Sequence, residues 1–157
     1  MYTTQREGEV GATFFTRSEL PPPARNRAEN VYERLLEFRD GGYLDRVERT
    51  EWVKRAPVGD CDRNIRDTYL AFTEWANDRG VSLTPFFDTR ECFCREAGEM
   101  TDWLVMPAFC LVVYTDEDIC AVYPHADGAE TLTVDDGLQA LGRETRDRTD
   151  VSTVIAG

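Results

Sequence analysis

The strongest constraint on the fold is a near-continuous apolar run at residues 103–114, WLVMPAFCLVVY. The polar residues 115–118, TDED, separate it from a second short apolar run at 119–123, ICAVY. Two apolar runs around a polar turn predict a β-hairpin. Because apolar residues occupy both alternating faces of the first run, that strand should be covered on both sides and lie centrally in a sheet.

Two amphipathic helices are available to cover such a sheet. Apolar residues at intervals of three and four predict one helix over 23–40, ended by Gly41-Gly42, and a second that follows a cap at Asp60 or Asp62 and ends at Gly80. The first set is Ala28, Val31, Leu35 and Phe38; the second is Ile65, Tyr69, Phe72 and Ala76.

Shorter elements complete the chain. Residues 12–17 and 46–53 have strand character, and residues 81–94 contain another extended segment. Thr133 and Asp136 have the spacing of a capping box at the start of a third, short helix.

Strands that alternate with helices predict an α/β fold, a three-layer sandwich whose mixed sheet has helices on both faces. We expect a flexible N-terminal tail at 1–11, one domain at 12–142 and a loose C-terminal tail at 143–157. The alternative is an α+β winged helix, because the strand assignments are less certain than the helices.

This order of elements resembles the thioredoxin and glutaredoxin fold. Met106-Pro107 precedes the buried strand, where those proteins hold a cis proline, so the resemblance implies a cis proline at Pro107. The family's Cys-x-x-Cys would fall near Ser18 to Pro23, yet no cysteine precedes Cys61. The resemblance therefore implies a scaffold without dithiol exchange at the usual position.

The charge composition indicates the environment. Thirty acidic residues oppose 18 basic ones, giving a net charge of −12, and Lys54 is the only lysine. This resembles the proteins of salt-in halophilic archaea, where a Debye length of about 3 Å screens crowded carboxylates. No apolar run is long enough for a membrane span, and the N-terminus lacks a signal peptide. We therefore expect an archaeal cytoplasmic protein without a membrane partner.

The cysteines and the single histidine allow two interpretations. Cys92 and Cys94 could bind a soft metal or act as a redox pair, with Cys61 or His125 as further ligands, but a second cysteine pair is missing. Core packing is the preferred explanation for them, and it also explains Cys110 and Cys120 in the hairpin. Without a nucleophile beside it, His125 is expected in a surface turn.

The arginines suggest a second function. Four of them lie along the first long helix and two start the second, where they could bind an anion or nucleic acid, although i,i+4 pairs with neighbouring glutamates are a simpler explanation. The arginines are Arg25, Arg27, Arg34, Arg39, Arg63 and Arg66, and the glutamates are Glu29, Glu33 and Glu37.

These observations predict no catalytic residue, no cofactor and no enzyme. The first hypothesis is a non-enzymatic binding or regulatory module that contacts another protein through an apolar patch or an open sheet edge, with a homodimer also allowed. The alternatives are a DNA-binding transcriptional regulator, with nucleic acid ranked below protein as partner, and a thiol-redox or metal-binding protein that uses Cys92 and Cys94.

Overall fold

The computed structural model describes residues 9–57, 63–94, 98–116 and 118–143. Its main element is a four-stranded mixed sheet with the strand order β2-β1-β6-β7, and two smaller sheets have the orders β3-β5-β4 and β8-β9. The elements are β1 (Val10–Arg17), α1 (Pro22–Asp40), β2 (Arg46–Trp52), β3 (Arg55–Pro57), α2 (Arg63–Arg79), β4 (Asp88–Cys94), β5 (Glu99–Val105), β6 (Phe109–Thr115), β7 (Asp118–Tyr123), β8 (His125–Asp127), β9 (Glu130–Leu132) and a helix α3 over 134–143.

The two inner strands of the main sheet are β1 and β6. β1 pairs in parallel with β2 and antiparallel with β6, and β6 pairs antiparallel with β7. The parallel pair requires a crossover, which α1 supplies. The α/β class with a mixed sheet, predicted from the sequence, is therefore confirmed.

Two buried clusters lie on opposite faces of this sheet. Adjacent β1 residues point to opposite faces: Phe14 packs with α1 and α3, whereas Phe15 packs with α2. Phe14 is completely buried, and so is Leu35 of α1. The apolar stripes predicted for both long helices are thus the surfaces that cover the sheet. The first cluster contains Ala12, Phe14, Ala28, Val31, Leu35, Phe38, Leu44, Leu111, Val134 and Leu141.

The apolar run at 103–114 is not one strand. It is divided between β5 and β6, which belong to different sheets. Pro107 lies between them and has no N–H to donate to a ladder, so the chain leaves one sheet there and enters the other. β5 instead pairs with β4 and with β3, a three-residue strand that the sequence did not predict.

The predicted hairpin between β6 and β7 is confirmed. Asp116 occupies the turn with φ 58°, and the register shifts between Val113 and Tyr114. Cys110 is fully buried, and burial raises the pKa of its thiol. Cys120 is half-buried, with its Sγ 3.1 Å from the Thr115 hydroxyl. Both cysteines therefore pack within the hairpin, as expected.

Two further expectations can be compared with the backbone. In the described residues, cis peptide bonds precede Pro85 and Pro124, and the bond before Pro107 is not among them. β1 begins at Val10, two residues before the expected domain start, because Val10 pairs with Thr115 of β6; its N–H also donates to Asp45 Oδ2 at 2.8 Å. The remainder of both expected tails lies outside the described residues.

Replacing Phe14 with alanine tests the central packing. The side chain is 0% exposed, so Phe14→Ala should lower the free energy of unfolding by about 3–5 kcal/mol. The matched control is Leu70→Ala, since Leu70 of α2 is 53% exposed, and it should change that free energy by no more than about 0.5 kcal/mol. Denaturant unfolding at one fixed salt concentration measures both, and equal effects would contradict the assigned core.

Candidate nucleic-acid interface

β1 and β2 have their C-terminal ends on the same side of the sheet, and helices begin there. Because the strands are parallel and Arg17 lies opposite Trp52, both strands end together. α1 starts five residues after Arg17. The first turns of α2 lie there too, since Ile65 and Thr68 line a cavity of about 400 Å³ with Trp52. We call this the strand-end edge.

Cationic side chains gather at the strand-end edge. Arg17 donates from Nε and Nη2 to the Met106 carbonyl oxygen at 3.1 and 2.5 Å, and burial lowers its pKa without removing its charge at neutral pH. Arg25, Lys54 and Arg66 are exposed, and none of them forms an ion pair within the described residues. Their charges are therefore available to an anionic partner.

Helix geometry adds to this positive potential. The N-terminal residue Pro21 gives α1 no side-chain cap, and neither α1 nor α2 has an acidic residue in its first turn. Unsatisfied N–H groups give a helix N-terminus a partial positive charge. Arg25 and Arg66 lie in or next to those first turns, so cation and helix dipole act on the same region.

α3 also begins at the strand-end edge, but its first residues include carboxylates that offset the positive charge there. Asp135 accepts a hydrogen bond from Arg27 at 2.5 Å, which links α3 to α1. Thr133 N–H and Asp136 Oδ2 are 2.7 Å apart, and the Asp136 N–H donates to Thr133 Oγ1 at 3.4 Å. The predicted capping box is therefore confirmed, and it consumes the carboxylate of Asp136.

The opposite edge of the sheet is acidic. The Asp45 carboxylate accepts from Val10 N–H, and Asp116 Oδ1 accepts from Glu9 N–H at 3.3 Å. Asp118 begins β7 next to the same turn. Carboxylates occur at the strand-end edge as well, since Glu51 precedes Trp52 and Asp67 follows Arg66.

The expected i,i+4 pairs on α1 do not form within the described residues. Glu29 instead pairs with Arg49 of β2 at 2.7 Å, and Arg27 pairs with Asp135 of α3. Arg34 lies over the Phe38 ring at 5.4 Å, and Arg39 pairs with Asp40 at 3.5 Å. Neighbouring elements offer closer partners than the next helical turn, which a helix considered alone could not show.

His125 is buried, so the expectation of a surface histidine is wrong. Its ring is 7% exposed and packs edge-on against Trp75 at 5.2 Å. Since a carbonyl oxygen can only accept, Nδ1–H donates to Val122 O at 2.6 Å. An antiparallel bridge between Ser82 and Ala126 holds this turn against the end of α2. In the sequence, the aromatic residue Tyr123 two positions earlier was the available sign that His125 could be buried. The two rings are 5.3 Å apart.

The cysteine candidates are only partly placed. Cys92 and Cys94 lie in β4, opposite Thr101 and Glu99 of β5, and Cys61 lies outside the described residues. Within the part of the chain that the structure describes, no three His, Cys, Asp or Glu side chains converge on a metal position. Metal or thiol chemistry at Cys92 and Cys94 stays a prediction.

Comparison with known families decides between the remaining functions. The family model described as "Helix-turn-helix domain" matches residues 4–146. The chain belongs to this helix-turn-helix family. No curated protein and no solved structure matches it. The resemblance to thioredoxins is therefore wrong as a family assignment, because it rested on an order of elements that unrelated proteins can share.

The helix-turn-helix name is not reflected in consecutive helices of the described chain. α1 and α2 are separated by β2 and β3, and β4 to β9 separate α2 from α3. A DNA-contacting helix must therefore be identified from its exposed face and its charge. None of the described helices has an apolar stretch long enough to cross a membrane.

The α3 cap makes a pH-dependent contribution to stability. Hydrogen bonds from Thr133 lower the pKa of Asp136, so the stabilisation is present above the unfolded-state pKa, about 3.9, and is lost as the pH falls through the folded-state value. Asp136→Asn keeps an acceptor and removes the charge. Denaturant unfolding at fixed salt should therefore show wild type more stable than Asp136→Asn near neutral pH, with the two converging at acid pH. A constant difference across that range would contradict the assignment.

Proposed function

We propose that this protein is a DNA-binding transcriptional regulator without enzymatic activity that works in the cytoplasm. The observation that carries the proposal is the helix-turn-helix family match over residues 4–146. It favours the nucleic-acid alternative over the protein-binding module that we ranked first from the sequence. The cationic strand-end edge gives the proposal a location on the molecule.

α2 is the helix best suited to approach DNA. One side is buried, where Phe72, Trp75 and Ala76 pack on the sheet. The opposite side carries Arg66 and Leu70 and also the acidic Asp67 and Glu74, all of them exposed. A helix fixed by one apolar face can present the other to a major groove, where arginine pairs with guanine and an apolar side chain contacts the thymine methyl group.

Phosphate contacts can come from the residues around α2. Lys54 follows β2, and Arg25 lies in the first turn of α1. Their side chains are exposed and unpaired within the described residues. Such contacts position a protein on the duplex without reading sequence. Lys54 and Arg25 would thus orient α2 while Arg66 reads the bases.

The net charge of −12 imposes a condition on this function. The acidic remainder of the surface repels DNA, and the molar salt that the composition led us to expect would remove most of the gain from counterion release. Weak non-specific binding is the result. Specific affinity must then depend on direct contacts from a small area, which makes single side chains of α2 unusually important.

Arg66→Ala tests the proposed interface. A duplex selected from a random pool by the wild-type protein serves as probe, and fluorescence anisotropy over a KCl series measures affinity. Arg66→Ala should weaken binding by about 5- to 100-fold if it contacts a base, and it should reduce the salt slope by about 1 if it contacts a phosphate.

Arg79→Ala is the matched control, because Arg79 is an exposed arginine in the last turn of the same helix. It should bind like wild type. Equal loss in both variants would contradict a role for the start of α2, and failure of the random pool to yield any bound duplex would contradict DNA binding itself.

A further inference from the structure

The two edge strands of the main sheet, β7 and β2, differ in whether their outward backbone groups are already hydrogen-bonded. On β7, the Cys120 carbonyl oxygen accepts a hydrogen bond from Trp75 Nε1 at 3.1 Å, and the Val122 carbonyl oxygen accepts from His125 Nδ1 at 2.6 Å. Two of the carbonyl oxygens that a further strand would need are thus already hydrogen-bonded to side chains. The β7 edge is therefore the less suited of the two to pairing.

The β2 edge is open. Ser18 N–H donates to the Trp52 carbonyl at 2.9 Å, whereas Arg17 N–H donates to Ala108 on the other side of β1. In a parallel ladder, alternate residues bond to the same neighbour. The even-numbered residues of β2 therefore bond to β1, and the backbone groups of the odd-numbered ones point outward. Within the described residues, no hydrogen bond reaches these outward groups. The odd-numbered residues are Val47, Arg49 and Glu51.

We propose that this open edge binds β2 of a second copy, antiparallel, with Thr50 on the two-fold axis. Two such sheets would join into one continuous sheet. The inference goes beyond the proposed DNA-binding function and does not depend on it.

The charges of β2 select this register. In a continuous antiparallel pairing, opposed residues share a face, so a residue meets itself at the axis. An axis at Glu48 or at Arg49 puts like charges directly opposite each other, which is destabilising. An axis at Val47 overlaps little of the strand, because β2 begins at Arg46. An axis at Thr50 places Arg49 opposite Glu51 of the partner subunit, twice, and its like-charged pair, Arg46 with Lys54 of the partner subunit, falls at the end of the strand, because Lys54 lies beyond β2.

The side chains beside the axis suit this pairing. Val53 is 46% exposed, and it would lie opposite the half-buried Val47 of the partner subunit. Arg49 is already held in place, because Nη1 binds Glu29 at 2.7 Å and the guanidinium lies 5.5 Å from the Tyr32 ring centre. Since a guanidinium has five N–H groups, others remain for Glu51 of the partner subunit.

A cysteine at the axis tests the register directly. Opposed Cα atoms in a non-hydrogen-bonded pair are about 4.5 Å apart, within the range that a disulfide can bridge. Thr50→Cys should therefore form a covalent dimer on mild oxidation in high-salt buffer, measured by non-reducing electrophoresis. Glu48→Cys is the matched control: its two copies would lie roughly 13 Å apart and should not cross-link above the wild-type background.

Sedimentation equilibrium of the unmodified chain provides the second measurement. Wild type should be dimeric, and Glu51→Arg, which places a cation opposite Arg49 of the partner subunit, should weaken dimerisation at least about tenfold, with an unchanged circular dichroism spectrum. A monomeric wild type at the highest attainable concentration, or equal cross-linking of Glu48→Cys and Thr50→Cys, would overturn the proposal. Neither result affects the DNA-binding assay, in which Arg66 and Arg79 are varied.

Discussion

The parallel pairing of β1 with β2 is the constraint on which the rest of the structure depends. Parallel neighbours cannot be joined by a tight turn, so α1 must cross one face of the sheet between them. The same pairing brings Arg17 and Trp52 to a common edge. α1 therefore begins at this edge, and the cavity beside Trp52 shows that α2 begins there as well. The cationic edge is thus a consequence of topology and of where arginine occurs in the first helical turns.

Local pattern predicted the elements whose environment is simple. α1 and α2 each bury one stripe, so their periodicity of three and four is strong, and both lie where the sequence placed them. The prediction of a single strand within 103–114 was wrong, because apolar character does not indicate which sheet a strand joins. Only the missing N–H of Pro107 divides it, and β3 depends on pairing with β5 nearly fifty residues away, which no local pattern can reveal.

The candidate site was predictable only in its parts. The arginines of α1 and α2 stood out in the sequence, but their partners did not: Arg27 and Arg49 find carboxylates on other elements, which leaves Arg25 and Arg66 as the available cations. The predicted surface position of His125 was wrong for the same reason, since its contacts with Trp75 and Val122 depend on tertiary structure. The order of elements suggested the thioredoxin family, whereas the family match is to a helix-turn-helix domain. The order of elements limits the possible folds, but function depends on the residues of a particular site.

The open β2 edge bears on how DNA could be approached. A two-fold axis perpendicular to a continuous sheet keeps both copies of α2 on the same face but turns the two strand-end edges in opposite directions. A duplex that met those edges end-on could therefore contact only one copy. A duplex lying across the outer faces of the α2 helices, where Arg66 and Leu70 are exposed, could contact both. Dimerisation through β2 and recognition of a two-fold site are then compatible only if α2 presents its side to the DNA.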